Sequence, residues 1–328
     1  MSKFRHSRLF SSSLLILIVI GYNARHLMIT KRKYFLCILL LSSLLTVVFW
    51  ATSCSNADKT IEAKTHTAGP ERIVSLAPSV TEILFSIGAG DKIVGVTRYC
   101  KYPPETDSIT KVGGLLDLNY ETLIELDPDL AIITDTSLEA KNNLEKLNIN
   151  VLAVPNETIG DLLVSIEKIG MATGKIDEAR SLSENISSSI SEAEIAARDI
   201  VRKKKVMIVV DRNPGSIQSI FVAGKHTFFS ELLEAAGAIN VFDDSNIKYP
   251  EPSLEEIILR NPDIIIETRI GYTGAGEALI REWDTLEELE AVKTGNIFIW
   301  TDSYTSIPGP RIVRLLSDIQ NVINGKND

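Results

Sequence analysis

From residue 72 onward, short runs of β-branched and aliphatic residues alternate with stretches in which apolar residues recur every three or four positions. This alternation is typical of parallel strands joined by helical crossovers. The predicted strands form two series of four, at 72–77, 92–97, 130–134 and 151–155, and at 205–211, 239–242, 263–268 and 296–300. We therefore predict an α/β fold with two lobes, each with a mainly parallel sheet flanked by helices.

The segment between the two series, residues 175–203, contains no proline or glycine and keeps an apolar spacing of three or four. Such a pattern predicts one helix of about 40 Å. An ordinary surface helix would have the same pattern, but the position between the series favours a single long backbone helix that joins the lobes. The predicted domains are a leader (1–53), a flexible tether (54–71), an N-terminal lobe (72–174), the linking helix (175–203) and a C-terminal lobe (204–328).

Two segments of the chain are repeated. "NYETLIELDPDLAII" at 119–133 matches "SLEEIILRNPDIIIE" at 253–267, and "TEILFSIGAG" at 81–90 matches "SELLEAAGAI" at 230–239. In the second pair Glu82 stands opposite Glu231, and Ser79 with Glu82 predicts a capping box at the start of a helix. The simplest interpretation is an internally duplicated pair of lobes.

The chain of 328 residues is 45% hydrophobic, enough for a core in each of two domains. Its formal charge is −9, yet the leader holds seven Lys or Arg and no acid, so the rest of the chain carries −16 (−9 minus seven). Nucleic-acid binding depends on basic residues that neutralise phosphates. An acidic body therefore argues against a nucleic-acid partner.

The leader has the layout of a secretory signal, with a basic patch, an apolar stretch at 34–50 and small residues before Cys54. Translation is predicted to begin at Met28. The segment resembles a bacterial lipoprotein signal, which implies that Cys54 becomes the lipidated N-terminus. An uncleaved membrane anchor at 34–50 is the alternative. Both place the body outside the cytoplasmic membrane, where Cys100 is its only cysteine and no internal disulfide can form.

Motifs for catalysis are absent from the sequence. No G-x-G-x-x-G follows a predicted strand, and "GSIQSIFVAGKH" lacks the spacing of a phosphate-binding loop. Two of the four histidines precede Met28, so neither a histidine-rich metal site nor a Ser-His-Asp triad is easily built. We predict no catalytic residues, no metal site and no cofactor.

Residues 72–324 resemble the periplasmic substrate-binding proteins that serve ABC importers of cobalamin, iron-siderophores and haem. The resemblance lies in the ordered segments "RIVSLAPSVTEILFSIGAGDKIVGVT", "YCKYPPE" and "AGKHTFFSELLEAAGAINVF". It implies two lobes on one long helix, a ligand in the cleft between them, and delivery to permease subunits with a separate ATPase subunit. A two-lobed cleft enzyme is the alternative from another class, against which the missing motifs argue.

Within that family, "RYCKYPPE" and "FVAGKHTF" are most similar to the cobalamin receptors. The resemblance implies aromatic ligand contacts at Tyr99, Phe221, Tyr249 and Tyr304, and puts Leu115 at or near a tryptophan of those receptors. Aromatic rings suit a flat corrinoid. An iron-siderophore or haem is the alternative ligand, with a tyrosinate at Tyr99 or Tyr304 on the iron. Each tyrosine could instead be an edge-of-core residue.

Glu121 and Glu255 occupy the same place in the two repeats, each near the start of a short predicted helix. A carboxylate there is favoured by the helix dipole alone. The resemblance implies a further role, in which each glutamate meets an arginine on one half of the permease.

Overall fold

The structure is a computed structural model, and it describes residues 69–213 and 215–326. The predictions for the leader, the start at Met28, most of the tether and Cys54 lie outside the described residues. Among the described helices, none combines the length and the apolar character needed to cross a membrane.

The first lobe is built on five parallel strands. They are β1 (Ile73–Ser75), β2 (Ile93–Val96), β3 (Thr110–Lys111), β6 (Leu130–Thr134) and β7 (Val151–Val154), and the order across the sheet is β3-β2-β1-β6-β7. A separate antiparallel hairpin joins β4 (Gly113–Gly114) to β5 (Asp117–Leu118). The central strand β1 is buried throughout, as expected when helices cover both faces of a parallel sheet.

Four helices accompany this sheet: α1 (Pro78–Ser86), α2 (Tyr120–Glu125), α3 (Leu138–Lys146) and α4 (Ile159–Thr173). A capping box begins α4, because Thr158 and Asp161 exchange side-chain and backbone hydrogen bonds. Gly174, with φ of 73°, ends the helix in the left-handed conformation that glycine adopts without strain.

The capping box predicted at Ser79 and Glu82 is wrong. Helix α1 begins at Pro78, and its N-cap Ala77 has no side-chain oxygen to offer. Ser79 lies inside the first turn and donates instead to Oδ1 of Asn156 at 2.9 Å. Proline at the first helical position replaces the cap, because its missing N–H leaves one donor fewer to satisfy.

The linking helix α5 (Ile176–Ala197) has 22 residues, or about 33 Å of length. It ends at Ala197 rather than at residue 203, because the chain turns after Ala197 to begin the next strand at Lys205, and Val201 on the way is fully exposed. Helix α5 packs against α4 on the side of the first lobe.

The second lobe repeats the topology of the first. Its parallel strands are β8 (Lys205–Asp211), β10 (Ile239–Asn240), β11 (Ile264–Thr268) and β12 (Ile297–Trp300), in the order β10-β8-β11-β12, and β9 (Phe221–Val222) pairs antiparallel with β8. This order matches β2-β1-β6-β7 strand for strand. The helices are α6 (Phe228–Ala235), α7 (Leu254–Arg260), α8 (Gly276–Glu282), α9 (Glu290–Lys293) and α10 (Ile312–Ile323).

The aspartates of the repeat fix the start of the first strand in each lobe. Oδ2 of Asp129 accepts from the backbone N–H groups of Glu71 and Arg72 at 2.9 and 3.0 Å. Oδ2 of Asp263 accepts from that of Lys205 at 2.8 Å. The repeated segment therefore has a structural role, which is to tie the end of a helix to the start of the neighbouring strand.

The residue two positions before each aspartate completes this tie. Asp127 and Asn261 have φ of 40° and 45°, the left-handed conformation that these two residue types tolerate. The side chain of Arg72 donates to the carbonyl that closes α2 at 2.9 Å, and Lys205 donates to the last carbonyl of α7 at 2.5 Å. Helix-end carbonyls are thus satisfied in the same way in both lobes.

One apolar core runs through the junction of the lobes. It includes buried side chains on helices of both lobes and on the linking helix, among them Ile83 on α1, Ile186 on α5, Leu232 on α6 and Leu316 on α10. The two sheets are therefore held by a common core, and the two-lobed α/β class expected from the sequence is confirmed.

Candidate functional site

The carboxyl ends of the two sheets face one another. Glu157, which follows β7, accepts at its backbone carbonyl a 2.8 Å hydrogen bond from the N–H of Phe228 in the second lobe. Its carboxylate lies 3.6 Å from Nζ of Lys248. Ligands of open parallel sheets bind beyond the carboxyl ends of the strands. The space between these two edges, called the inter-lobe cleft below, is therefore the candidate ligand site.

Tyr99 lies just after the carboxyl end of β2 and is 59% exposed. Cζ of the neighbouring Arg98 lies 5.2 Å from the centre of its ring. Gly114 of the β4–β5 hairpin approaches the ring so closely that a Cβ there would lie 3.0 Å from Cε2. The hairpin therefore supports an aromatic ring that remains open to solvent at this edge of the sheet.

The turn of that hairpin consists of Leu115 and Leu116. Leu115, the predicted contact, is partly buried and packs against the core of the first lobe. Leu116 is fully exposed at the tip. The side chain that this hairpin presents to solvent is thus Leu116, the neighbour of the predicted Leu115.

Phe221 and Tyr249 lie close together in the second lobe. Phe221 is on β9 and is partly exposed. The loop that contains Tyr249 runs alongside, since Val222 N–H donates to the carbonyl of Pro250 at 3.0 Å and Gly224 N–H to that of Lys248 at 2.7 Å. Burial, with a smaller effect of nearby Glu157, raises the pKa of Tyr249 to about 12, so its hydroxyl remains protonated.

Tyr304 is placed differently from the other predicted aromatics. It is only 5% exposed, and its hydroxyl donates to Oδ2 of Asp318 at 2.6 Å. Cζ of Arg314 lies 4.3 Å from its ring centre. Burial, followed by the hydrogen bond to Asp318, raises its pKa to about 12. Its ring is buried in this conformation, and the raised pKa keeps its hydroxyl protonated, which disfavours a tyrosinate ligand to iron.

A contact between the lobes that sequence reasoning missed joins Glu82 on α1 to Arg311 before α10. Nε and Nη2 of Arg311 donate to Glu82 at 3.0 and 2.6 Å, and the glutamate is buried. Cζ of the same arginine lies 3.8 Å from the ring centre of Tyr102. Burial raises the pKa of Glu82, while Arg311 opposes that shift. Tyr102 could have been singled out from the sequence, because it lies in the segment "YCKYPPE" that carries the family resemblance.

Glu231 on α6 makes the equivalent contact in the opposite direction. Its Oε2 accepts a 2.5 Å hydrogen bond from the N–H of Ile159, the first residue of α4. Each lobe's repeated glutamate therefore bonds to the start of the helix that follows the other lobe's sheet. Burial raises the pKa of Glu231. The glutamates of the repeated segments 81–90 and 230–239 thus each make a contact between the lobes.

A buried ionic cluster occupies the carboxyl end of β8 and β11. Oε2 of the fully buried Glu267 accepts from Nε of Arg212 at 3.0 Å and from Nε1 of Trp283 at 3.1 Å. Its other oxygen accepts from Nε of Arg269 at 2.5 Å, and Arg212 also pairs with Glu282. Charges in a core persist only when they are paired in this way. The cluster fixes this edge of the second sheet.

Glu121 and Glu255 are exposed in the first turns of α2 and α7. Asn119 and Ser253 cap these helices by accepting from backbone N–H groups at 3.1 and 3.2 Å. Each helix is followed by a strand that runs the other way, so its N-terminus lies on the cleft side of its lobe. Hydrogen bonds from its own N–H and from Ser253 lower the pKa of Glu255, which keeps it ionised.

Among residues 69–213 and 215–326, no three His, Cys, Asp or Glu side chains converge on a possible ion site. The cysteine in this part of the chain, Cys100, is buried and accepts a hydrogen bond from Thr81 at 3.1 Å.

Comparison with known proteins supports this assignment. The ABC transporter substrate-binding lipoprotein YvrC of Bacillus subtilis is 30% identical over 285 residues, which cover 85% of this chain and 87% of YvrC. The vitamin B12-binding protein of Vibrio parahaemolyticus is 25% identical over 76% of this chain and 88% of its own length.

Solved structures share the fold. The periplasmic haem-binding protein RhuT from Roseiflexus sp. RS-1 superimposes with a TM-score of 0.68 at 25% identity, covering 79% of this chain and 99% of RhuT. The family model for periplasmic binding proteins matches residues 73–304. Relatives in this family are substrate-binding components of transporters and not enzymes. The chain belongs to the periplasmic binding protein family and is a substrate-binding component of an ABC importer.

Proposed function

We propose that this protein is a lipid-anchored extracytoplasmic receptor that captures a corrinoid in the inter-lobe cleft and delivers it to a membrane permease. The observation that carries the proposal is the set of aromatic side chains at the cleft, Tyr99 from the first lobe and Phe221 and Tyr249 from the second. The vitamin B12-binding relative from Vibrio parahaemolyticus, which aligns over most of both chains, supports the same ligand class.

The chemistry of these residues suits a flat macrocycle. Aromatic rings bury large apolar areas against it, while tyrosine hydroxyls reach its polar edge. Burial that holds the pKa of Tyr249 at about 12 keeps its hydroxyl available as a hydrogen-bond donor at any physiological pH. Tyr304 is buried and donates its hydroxyl to Asp318, so it supports the proposal less than the other three aromatic residues do.

Ligand titration tests the proposal directly. Quenching of intrinsic tyrosine and tryptophan fluorescence is followed as cobalamin, cobinamide, haemin and ferric siderophores are added. We expect saturable binding of the corrinoids and no turnover. Tight binding of haemin without binding of any corrinoid would show that the corrinoid assignment is wrong.

A haem or iron-siderophore receptor is the second candidate, favoured by the alignment with the haem-binding protein RhuT. The exposed hydroxyl-bearing ring of Tyr99 is then the candidate iron ligand. Tyrosinate coordination produces a visible charge-transfer band, so haemin added to wild type and to Tyr99→Phe would separate this candidate from the first.

Anchoring through Cys54 is part of the proposal, and the name of the lipoprotein relative YvrC supports it. Labelled fatty acid should enter the wild-type protein, whereas Cys54→Ala should be unlabelled and either released or retained as a precursor. An uncleaved membrane anchor is the competing arrangement, and it predicts no labelling of either protein.

Delivery is proposed to depend on Glu121 and Glu255, one on the cleft side of each lobe. Each carboxylate is exposed and would meet a cation on one half of the permease, with ATP hydrolysis on a separate subunit. Such charge pairs govern registration and association rate more than affinity, and salt weakens them.

A further inference from the structure

Arg98 and Asp117 form a bidentate ion pair at the rim of the inter-lobe cleft. Nη1 and Nη2 of the arginine donate to the two carboxylate oxygens at 2.8 and 2.7 Å. Arg98 follows β2 directly before Tyr99, and Asp117 lies on the β4–β5 hairpin beside the same ring. The side chains are 47% and 59% exposed, so both reach solvent at the place where a ligand would touch Tyr99.

Stability alone does not account for this pair. Exposed ion pairs contribute about 0–1 kcal/mol. The hairpin nevertheless has a glycine where the pair packs, because a Cβ on Gly114 would lie 2.6 Å from Oδ1 of Asp117 and 2.9 Å from Nη2 of Arg98. The backbone thus leaves room for a fixed, planar pair next to the ring.

The pair is locally neutral but presents two kinds of polar atom. The guanidinium offers N–H donors, and the carboxylate offers lone pairs beside them. The hydrogen bond from Arg98 holds the pKa of Asp117 below its ordinary value, so the acceptor stays ionised. A primary carboxamide has a C=O and an NH₂ side by side and can satisfy both partners at once. A carboxylate has only acceptors and is repelled by Asp117.

We propose that the Arg98–Asp117 pair makes the cleft select ligands whose periphery carries primary carboxamides over ligands whose periphery carries carboxylates. Corrinoids have carboxamide side chains, whereas haem has propionates. The inference rests on the proposed function and names the groups by which that site distinguishes its two candidate ligand classes. Asp117 is the specificity-determining residue, because without its charge Arg98 becomes a free cation that favours carboxylates.

The test compares dicyanocobinamide with cobyrinic acid, which has carboxylates in place of the side-chain amides on the same macrocycle. Dissociation constants are measured by fluorescence quenching for wild type and Asp117→Asn. Wild type should prefer the amide form. Asp117→Asn should shift the ratio of the two constants toward the carboxylate form by about tenfold, the size of one charge-assisted hydrogen bond.

Asp177→Asn is the matched control. Asp177 forms an exposed pair with Arg180 at 3.1 Å on the linking helix, so this variant removes the same charge at a place remote from Tyr99. It should leave the ratio unchanged. Arg98→Gln leaves Asp117 as an uncompensated anion, so this variant should keep or strengthen the preference for the amide form. Thermal melting checks that each variant is folded.

The outcomes separate the two claims. A wild type that binds cobinamide, with a ratio that Asp117→Asn does not move beyond the control, overturns the role of the pair and leaves the corrinoid proposal intact. Equal affinity of the wild type for dicyanocobinamide and cobyrinic acid also overturns the role of the pair and leaves the corrinoid proposal intact. A wild type that binds haemin tightly and neither corrinoid overturns both.

Discussion

The two lobes bury opposite kinds of side chain at the same place. Ile133 in β6 and Glu267 in β11 each lie four residues after the aspartate of the repeat, and both have no exposed surface. In the first lobe the isoleucine packs among aliphatic residues such as Val74 and Leu76. In the second lobe the glutamate is the centre of an ionic cluster with Arg212 and other partners.

The difference shows which part of the duplicated scaffold is constrained. At the amino ends of the strands both lobes keep the same ties, with Asp129 and Asp263 bonded to the chain that begins β1 and β8. At the carboxyl ends, where the cleft lies, the lobes have diverged in chemistry while keeping the same backbone topology. Function in such folds concentrates at this edge, so divergence there is expected.

The largest effect is expected where the lobes are most alike, at Glu121 and Glu255. Replacing both with alanine should abolish uptake of labelled ligand by cells that carry the cognate importer, because each lobe would lose its proposed contact with the permease. Ligand affinity and folding should remain near wild type, since both side chains are exposed. The two single variants would show whether the lobes contribute equally.

The charge-matched control for uptake is the double variant Glu125→Ala, Glu288→Ala. Both glutamates are exposed and lie outside the first turns of α2 and α7. It should transport normally. A folded Glu121→Ala, Glu255→Ala protein that still transports at the wild-type rate would return both residues to a purely local role at the helix ends.

The next effect tests the divergent position. Glu267→Gln should lower the free energy of unfolding by about 3–5 kcal/mol, because it removes the fully buried carboxylate charge that pairs with both Arg212 and Arg269. Ile133→Val at the equivalent site should lower it by only about 0.5–1.5 kcal/mol. Urea denaturation measures both values. Similar losses in the two variants would mean that the ionic cluster does not depend on the charge of Glu267.

The smallest effect concerns Glu231, whose pKa burial raises above the ordinary value of 4.5. The folded state then binds the proton more tightly than the unfolded state, so this group contributes stability at low pH that is lost as pH rises from about 4.5 through the raised pKa. Solvent screening keeps the effect small because the side chain is only half buried.

Glu231→Gln should remove that contribution and flatten the fall in unfolding free energy as the pH rises above 4.5. Glu194→Gln, which removes an exposed carboxylate from the linking helix, should leave the pH profile as it is in the wild type. A profile for Glu231→Gln that is as steep as that of the wild type would contradict the assignment.

Much of the fold could be predicted because strand and helix periods are local. All eight predicted strand runs contain observed strands, from β1 to β12. The two-residue strands β3, β4, β5 and β9 were missed, since two residues carry no period. The linking helix was overextended because the residues after Ala197 keep a helical pattern in the sequence, although residues 201–203 are exposed and the chain turns there toward β8.

The site was less accessible to sequence reasoning, because its contacts join distant residues. Glu82 looked like part of a capping box, yet its partner Arg311 is 229 positions away. The duplication did place Glu82 opposite Glu231, but only the structure gives the two a common role. Arg98 stands at the start of "RYCKYPPE", but nothing in the sequence marks Asp117, 19 residues later on the β4–β5 hairpin, as its partner.

The common core at the lobe junction has a consequence for how the molecule unfolds. Ile186 on the linking helix is buried in the same cluster as Ile83 of the first lobe and Leu232 of the second. Unfolding of either lobe would therefore expose apolar side chains of the other, which couples the two lobes although each also has a cluster of its own. Heat should release the two lobes in a single calorimetric transition, and neither half of the chain should persist as a stable fragment after proteolytic cleavage between them.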